Sequence, residues 1–251
     1  MDELFSIQDI DIEFSRKNII EKLNYHINNT KVGYICTINS NLISEAFYNA
    51  EYKKILQKSI INICDGSVLA KGIGWVYNKK LRPWPGPDFF INIIEGENVK
   101  NIFLGSNKET LESIKKNLIK KNINIDNAKF YSLPYCSVEN FDYNAISYII
   151  NQEKPGIIWV SLGAPKQEIF ASYLVKYLNQ GVIICVGAAF DFYGKSNGNS
   201  RAPFIIRKMS LEWLWRIIQA PKKTIKRLIR EIVIVPRILF SEKMLEIKKY
   251  K

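Results

Sequence analysis

The sequence predicts an α/β fold of the Rossmann-like kind: a mostly parallel sheet flanked by helices, followed by a basic helical C-terminal appendage. Three observations carry that expectation. Six short apolar runs rich in β-branched and aromatic residues recur along the first 200 residues, helical patterns separate them, and beyond that point the alternation stops and positive charge accumulates. Strands alternating with helices build βαβ units, whose crossovers put helices on the faces of a parallel sheet.

The strand-like runs are 32–37 (VGYICT), 61–64 (INIC), 101–105 (NIFLG), 128–132 (AKFYS), 156–163 (GIIWVSLG) and 181–187 (GVIICVG). Among the helical patterns, 107–122 has apolar residues at helical spacing and a capping start, and 144–152 reads as amphipathic. Residues 164–181 open with Pro165 at a first helical position and stop at Gly181. After residue 203 three helices are expected, at 204–218, 222–235 and 236–249, with Pro221 and Pro236 as breaks. The division is therefore an α/β domain over 1–200 and a basic helical appendage over 201–251.

A chain of 251 residues has room for one large α/β domain with such an appendage. The N-terminus, MDELFSIQDIDIEF, is acidic and lacks the apolar core of a signal peptide. No apolar run approaches the roughly 20 residues that span a bilayer. Cys36, Cys64, Cys136 and Cys185 are scattered, and read as buried thiols in a reducing cytoplasm rather than a disulfide framework or a zinc site. The lone histidine, His26, lies in a polar helical segment, which argues against a histidine metal centre or a Ser-His relay.

Residues 201–251 hold 14 Lys and Arg against 4 Asp and Glu, a net +10 out of +12 for the whole chain. Such asymmetry implies an anionic partner: phosphate, nucleic acid or lipid headgroups. The stretch PKKTIKRLIREIVIVPRILF sets Lys222, Lys223, Lys226, Arg227 and Arg230 opposite an apolar stripe of Ile225, Leu228, Ile229, Ile232 and Val233. That pattern fits an interfacial helix on an anionic membrane, with Trp213 and Trp215 at headgroup depth. The plain alternative is an amphipathic helix packed on its own domain. A nucleic-acid module would bring more polar and aromatic readers, so no nucleic acid is expected as a partner.

Ligands of parallel sheets bind beyond the C-terminal ends of the strands. The residues to weigh are therefore Thr37, Asn39, Asp65, Gly105, the segment 163–168 and the segment 187–191. Asp65 ends a strand and precedes Gly66; a turn former and a general base both fit that position. In LGAPKQE, Pro165 opens a helix whose free N–H groups suit a phosphate or a sugar hydroxyl. Gln167 and Glu168 fall in its first turn, where Glu168 is expected as a partner for the helix dipole. The long loop 187–203 carries Asp191 and ends near Arg201; it reads as a functional loop or an Asx-type turn. Gly72-Ile73-Gly74 begins like a dinucleotide fingerprint, but Tyr77 stands where the third glycine belongs. Asp9-Ile10-Asp11 has the form of a metal-holding Asp-x-Asp triplet, yet it precedes any convincing strand end and reads as a solvated start to the fold.

Taken together, CDGS, LRPWPGPDFF, SLGAPKQE, VGAAFDFYGKSNGNSRAP, LEWLWRIIQAPKK and KRLIR, in that order, resemble the WecG/TagA/CpsF family, glycosyltransferase family 26. The resemblance runs from about residue 9 to residue 239. It implies a bacterial inverting transferase, independent of metal and of any cofactor. Such an enzyme moves a sugar, often of the N-acetylmannosamine type, from a UDP-sugar donor to a polyprenyl-diphosphate-linked sugar acceptor. The products are precursors of teichoic acid or other surface polysaccharides, made at the cytoplasmic face of the membrane by a peripheral protein. UDP-glucose or a UDP-uronic acid as donor, and a homo-oligomer, are left open; the rival reading from the residues alone is a non-enzymatic α/β protein that binds membrane or nucleic acid.

Carried over by the same resemblance, Asp65 is the catalytic base, and Thr37, Asn39, Gln167 and Asp191 line the pocket. Arg82 belongs to an Arg…Gly-x-Asp block with Gly86 and Asp88. Arg201, Arg216 and Arg227 are expected to neutralise the UDP diphosphate. The sequence departs from the family pattern at Cys64, where proline is common, at Ser67, where glycine is common, and at Lys222 and Lys223, where arginine is frequent. Lysine lacks arginine's planar fork, so diphosphate contacts there are less directional.

Overall fold

The computed structural model describes residues 3–97, 99–194, 203, 206, 214, 215, 218 and 221–249; the side chains of 221–224, 226 and 227 fall outside that set. Arg201, Arg216 and Trp213 lie outside the described residues, as does the side chain of Arg227.

Strands β1 (Leu4–Ile7) and β2 (Ile10–Glu13) form an antiparallel hairpin that the sequence reading passed over. Gln8 and Asp9 make its two-residue turn with φ of 54° and 57°. That is the left-handed pair a tight hairpin turn requires. Buried Ile10, Ile12 and Phe14 alternate with exposed or capping positions, so the segment is a half-buried strand, not a solvated lead-in. Asp9 meets Lys53 at 2.9 Å on the surface.

The chain then runs α1 (Arg16–Asn28), β3 (Gly33–Ile38), α2 (Ser40–Tyr48), α3 (Ala50–Gln57), β4 (Ile61–Cys64), α4 (Ser67–Tyr77), α5 (Gly86–Gly96), β5 (Asn101–Gly105), α6 (Lys108–Lys120), β6 (Ala128–Tyr131), α7 (Tyr143–Glu153), β7 (Ile157–Ser161), α8 (Lys166–Leu174), β8 (Val182–Cys185) and α9 (Ala189–Gly194). All six expected strands are present, with ends shifted by up to two residues. Side-chain caps start several of the helices: Asn107 accepts from the Thr110 N–H and Asp142 from the Ala145 N–H. Pro165 immediately precedes α8 instead of occupying its first turn. The long loop expected after β8 is shortened by α9.

The sheet order is β1-β2-β4-β3-β8-β7-β5-β6, parallel throughout except for the β1–β2 pair. Central strands are buried on both faces, and their alternate residues feed two cores. Cys36, Ile158, Val160, Ile183 and Cys185 pack with α2, α3, α4, α7 and α8. Ile35, Ile63, Phe103, Trp159 and Ile184 pack with α1, α5, α6 and α9 on the other face. This three-layer arrangement explains why those strands read as continuous apolar runs.

Helix α10 (Pro221–Lys248) replaces the two helices expected after residue 221. Pro236 sits inside it. A proline cannot donate to the carbonyl four residues earlier, that of Ile232, and normally ends a helix. Here tertiary packing overrides the local break: Ile234, Val235 and Ile238 flank Pro236 and are buried. Gly72 lies within α4, not in a nucleotide loop, and a Cβ there would come within 2.4 Å of Leu239 on α10. Its bare backbone therefore leaves room for the Leu239 side chain. Arg230 fastens α10 to α2 through Glu45 at 2.8 Å and the Ser44 carbonyl at 3.0 Å.

Candidate functional site

A cleft of about 690 Å³ opens across the C-terminal ends of β4, β3, β8, β7 and β5. Asp65, the residue after β4, is half-buried there. Its backbone N–H donates to the Ile38 carbonyl at 2.7 Å, which continues the β3–β4 pairing by one step. Its Oδ1 accepts from the Gly86 N–H at 2.5 Å, and Asn39 Nδ2 is 3.4 Å from its Oδ2. Gly86 is the first residue of α5, so the carboxylate takes one of the N–H groups a helix start leaves free. The approach is tight: an added Cβ would stand 3.2 Å from the Val186 carbonyl and 3.4 Å from Asp65 Oδ1.

Thr37 donates its hydroxyl to the Cys185 carbonyl at 2.9 Å, and Asn39 caps α2 by accepting from the Asn41 N–H at 3.0 Å. Across the cleft, Gln167 Oε1 accepts from the Gly187 N–H at 3.2 Å, and Ser161 donates to the Gly187 carbonyl at 2.6 Å. Gly187 has φ of 57°, a left-handed turn at the end of β8. Asp191, on the short α9, faces the same space.

The structure thus brings Thr37, Asn39, Asp65, Gln167 and Asp191 around one cleft. It does not bring Arg82, which is exposed between α4 and α5 and absent from the lining. Arg201 and Arg216 lie outside the described residues, and Arg227 contributes only its place in α10.

Three features were missed by sequence reasoning. Lys166 lines the cleft; its Nζ contacts the Cys136 carbonyl and lies over the Tyr135 and Phe141 rings. It is the single cation among the described lining residues, and its place in the motif beside Gln167 was the available signal. Gly86 acts through its N–H, which no residue type announces. Glu168, expected as a dipole partner, is instead fully buried beneath the cleft, where burial pushes its carboxyl up to about 7. Cys64, a departure from the family pattern, is a buried thiol 3.6 Å from the Gly66 carbonyl, and burial pushes its pKa up. It packs in the core and has no part in the cleft lining.

The profile described as "Glycosyl transferase WecG/TagA/CpsF family" matches residues 5–249. The chain belongs to that family. It is accordingly a glycosyltransferase, and the strand-end cleft is its candidate active site. Two relatives carry the name N-acetylglucosaminyldiphosphoundecaprenol N-acetyl-beta-D-mannosaminyltransferase. The one from Bacillus spizizenii is 27% identical, over 79% of this chain and 76% of its own length. The one from Staphylococcus aureus is 24% identical, over 76% of this chain and 73% of its own length.

Proposed function

We propose that this chain is an inverting transferase that moves an N-acetylmannosaminyl group from a UDP-sugar to a polyprenyl-diphosphate-linked N-acetylglucosamine at an anionic membrane surface. The sugars follow the names of its relatives. One observation carries the catalytic part: Asp65 is anchored through Oδ1 by Gly86 at 2.5 Å, while Oδ2 has the longer contact, 3.4 Å, to Asn39. A carboxylate held by one oxygen keeps its other oxygen aimed into the cleft. There Oδ2 takes the proton of the acceptor hydroxyl as that hydroxyl's oxygen attacks C1 of the donor sugar. The bond from C1 to the UDP oxygen breaks, UDP leaves with the electron pair, and attack from the opposite face inverts the anomeric carbon.

Charge grows on the departing diphosphate, and cations placed beforehand offset it. Lys166 suits that task within the described cleft, where Asp65 and Asp191 are both acidic. Arg201, Arg216 and Arg227 are the further cations we assign to it. The division at about residue 200 then separates a catalytic domain from an appendage that contributes basic side chains and a membrane face. Ile225, Ile229, Ile232 and Val233 on α10 are exposed, which supports the interfacial reading of that helix over complete packing on the domain. Among the described residues no helix is long and apolar enough to cross a membrane.

The test is Asp65→Asn in purified full-length protein, supplied with UDP-N-acetylmannosamine and a short polyprenyl-diphosphate N-acetylglucosamine. Loss of base catalysis lowers kcat by about 10²–10⁴-fold, with donor affinity nearly unchanged. Wild-type turnover in the variant would remove Asp65 from the mechanism. The mass of the product identifies the sugar transferred.

A further inference from the structure

Beneath the cleft floor lies a buried polar cluster that the transfer chemistry leaves unused. Glu168 is 0% exposed. Its Oε1 accepts from Gln167 Nε2 at 2.7 Å, and its Oε2 accepts from the Tyr52 hydroxyl at 3.2 Å. On its other side Gln167 Oε1 accepts from the Gly187 N–H at 3.2 Å. A backbone N–H can only donate, so the amide oxygen must face Gly187 and the amide nitrogen must face Glu168. Gln167, itself 1% exposed, is therefore a strut between Glu168 and the turn that leads from β8 to Asp191.

We propose that Glu168 is a positioning residue for the transfer reaction: its carboxylate orients the Gln167 amide, which holds the Gly187 turn and so the Asp191 wall of the cleft. The proposal rests on the transferase reading for its consequence in catalysis, but its geometry stands apart from that reading. A carboxylate accepts from both of its donors at once. Protonation reverses one of those roles. The Tyr52 hydroxyl can rotate to accept, but the Gln167 amide nitrogen cannot, and its charge-assisted bond becomes an ordinary one.

The titratable groups facing Glu168 are Tyr52 from α3, Cys36 from β3 and Cys185 from β8, and burial pushes each of them up, so all three stay neutral. Among the described residues, no cation is one of these neighbours. Strand β7 brings no titratable residue, and Tyr143 of α7 packs instead on Phe170 and Tyr173. Lys176 lies over the Tyr173 ring, Tyr177 stacks on Tyr143, and Glu139 is exposed. With its charge unopposed, Glu168 is held up near 7, where its ionisation changes within the working range of most enzymes.

The experiment uses the full chain, wild type and Glu168→Gln, labelled with 15N-glycine and carbonyl-13C-valine. Val32-Gly33 and Val186-Gly187 are the two Val-Gly steps in the sequence, so this labelling isolates the Gly187 amide with one distant companion. The wild-type Gly187 resonance is expected to titrate with a midpoint near pH 7 and to stay fixed in Glu168→Gln. Glu168→Gln should lose roughly 10-fold or more in kcat at high pH, the scale of a small misplacement, while its Tm stays at or above that of wild type. Wild-type kcat should rise through the same midpoint, and this limb should vanish in the variant. A Gly187 resonance that ignores pH, or a variant with wild-type kcat and an unchanged pH profile, overturns the proposal. A titrating Gly187 in a wild-type protein that transfers no sugar keeps the strut and overturns the transferase reading instead.

Discussion

The strand-end cleft and the outer face of α10 are opposites in how they treat their side chains. In the cleft, nearly every polar group already has a protein partner: Thr37 on Cys185, Asp65 on Gly86, Gln167 on Gly187. On α10, large apolar groups face outward, with Ile229 at 61%, Ile232 at 62% and Val233 at 64% exposure. The neighbouring Ile234, Val235 and Ile238 are buried on the same helix. A pre-organised polar site spends no binding energy on ordering itself, whereas an uncovered apolar stripe lowers its free energy only on meeting another apolar surface. The two regions therefore divide the work we propose: chemistry in the rigid domain, attachment through the helix.

The largest effect expected from breaking that division is on α10. Ile229→Glu with Ile232→Glu should weaken binding to anionic liposomes by about 10²–10⁴-fold, since each inserted aliphatic side chain contributes roughly 1.5–3 kcal/mol. Stability should change little, because neither residue is buried. Ile238→Ala should do the reverse, destabilising the fold by about 2–5 kcal/mol and leaving lipid affinity intact. Flotation assays and thermal melts on both variants measure the contrast. Equal lipid binding by wild type and the double variant would leave the outer face without its assigned role.

Glu168 gives the next effect, and it connects stability to function. The folded protein holds this carboxyl near 7, above the ordinary glutamate range, because it is buried. The folded state therefore binds the proton more tightly than the unfolded state does. Its stabilising contribution is complete below the unfolded pKa and is lost as pH rises from about 4.5 to about 7, by at most about 3 kcal/mol. Glu168→Gln does not titrate. The Tm of wild type relative to the variant should fall between pH 5 and pH 8, and a constant difference across that range would contradict the assigned state. The carboxylate is thus kept at a cost in stability, as residues serving function often are.

A smaller effect is expected within the cleft from Gly86→Ala. Its Cβ would stand 3.2 Å from the Val186 carbonyl and 3.4 Å from Asp65 Oδ1, so the backbone at Gly86 or Val186 must give by a few tenths of an ångström, and the N–H that anchors the carboxylate is disturbed with it. We expect a kcat loss of roughly 10-fold and a stability change within about 1 kcal/mol. Steady-state kinetics beside a melt separates the two. A fall in Tm without a fall in kcat would mean that Gly86 serves packing alone.

What the sequence disclosed follows from what is local. The central strands were legible because burial on both faces demands unbroken apolar runs, and the strand-end rule then pointed to Thr37, Asn39, Asp65, Gln167 and Asp191 together. The β1–β2 hairpin escaped because its strands have four residues each and its turn uses Gln8-Asp9, not a glycine pair. Pro236 misled because local propensity says break, while burial of Ile234, Val235 and Ile238 against the domain says continue. The Gly86–Asp65 bond links residues 21 positions apart through backbone, so side-chain identity carries no trace of it. Glu168 adjoins Gln167 in sequence, but its complete burial depends on Tyr52, Cys36 and Cys185 closing round it in three dimensions.

The smallest effect concerns the acidic triplet near the N-terminus, which lies far from the strand-end cleft. Asp9 sits at the hairpin turn with φ of 57°, a conformation that asparagine adopts as readily as aspartate. Its partner Lys53 is 2.9 Å away, but the Asp9 side chain is 83% exposed. Asp9→Asn therefore removes one screened surface pair and nothing else, worth about 0–1 kcal/mol. If that is the whole role of Asp9, sugar transfer by the variant should match wild type within error, in the presence and absence of a chelator. A large loss of transfer restored by added divalent cation would revive the triplet as a metal site and move the chemistry away from Asp65.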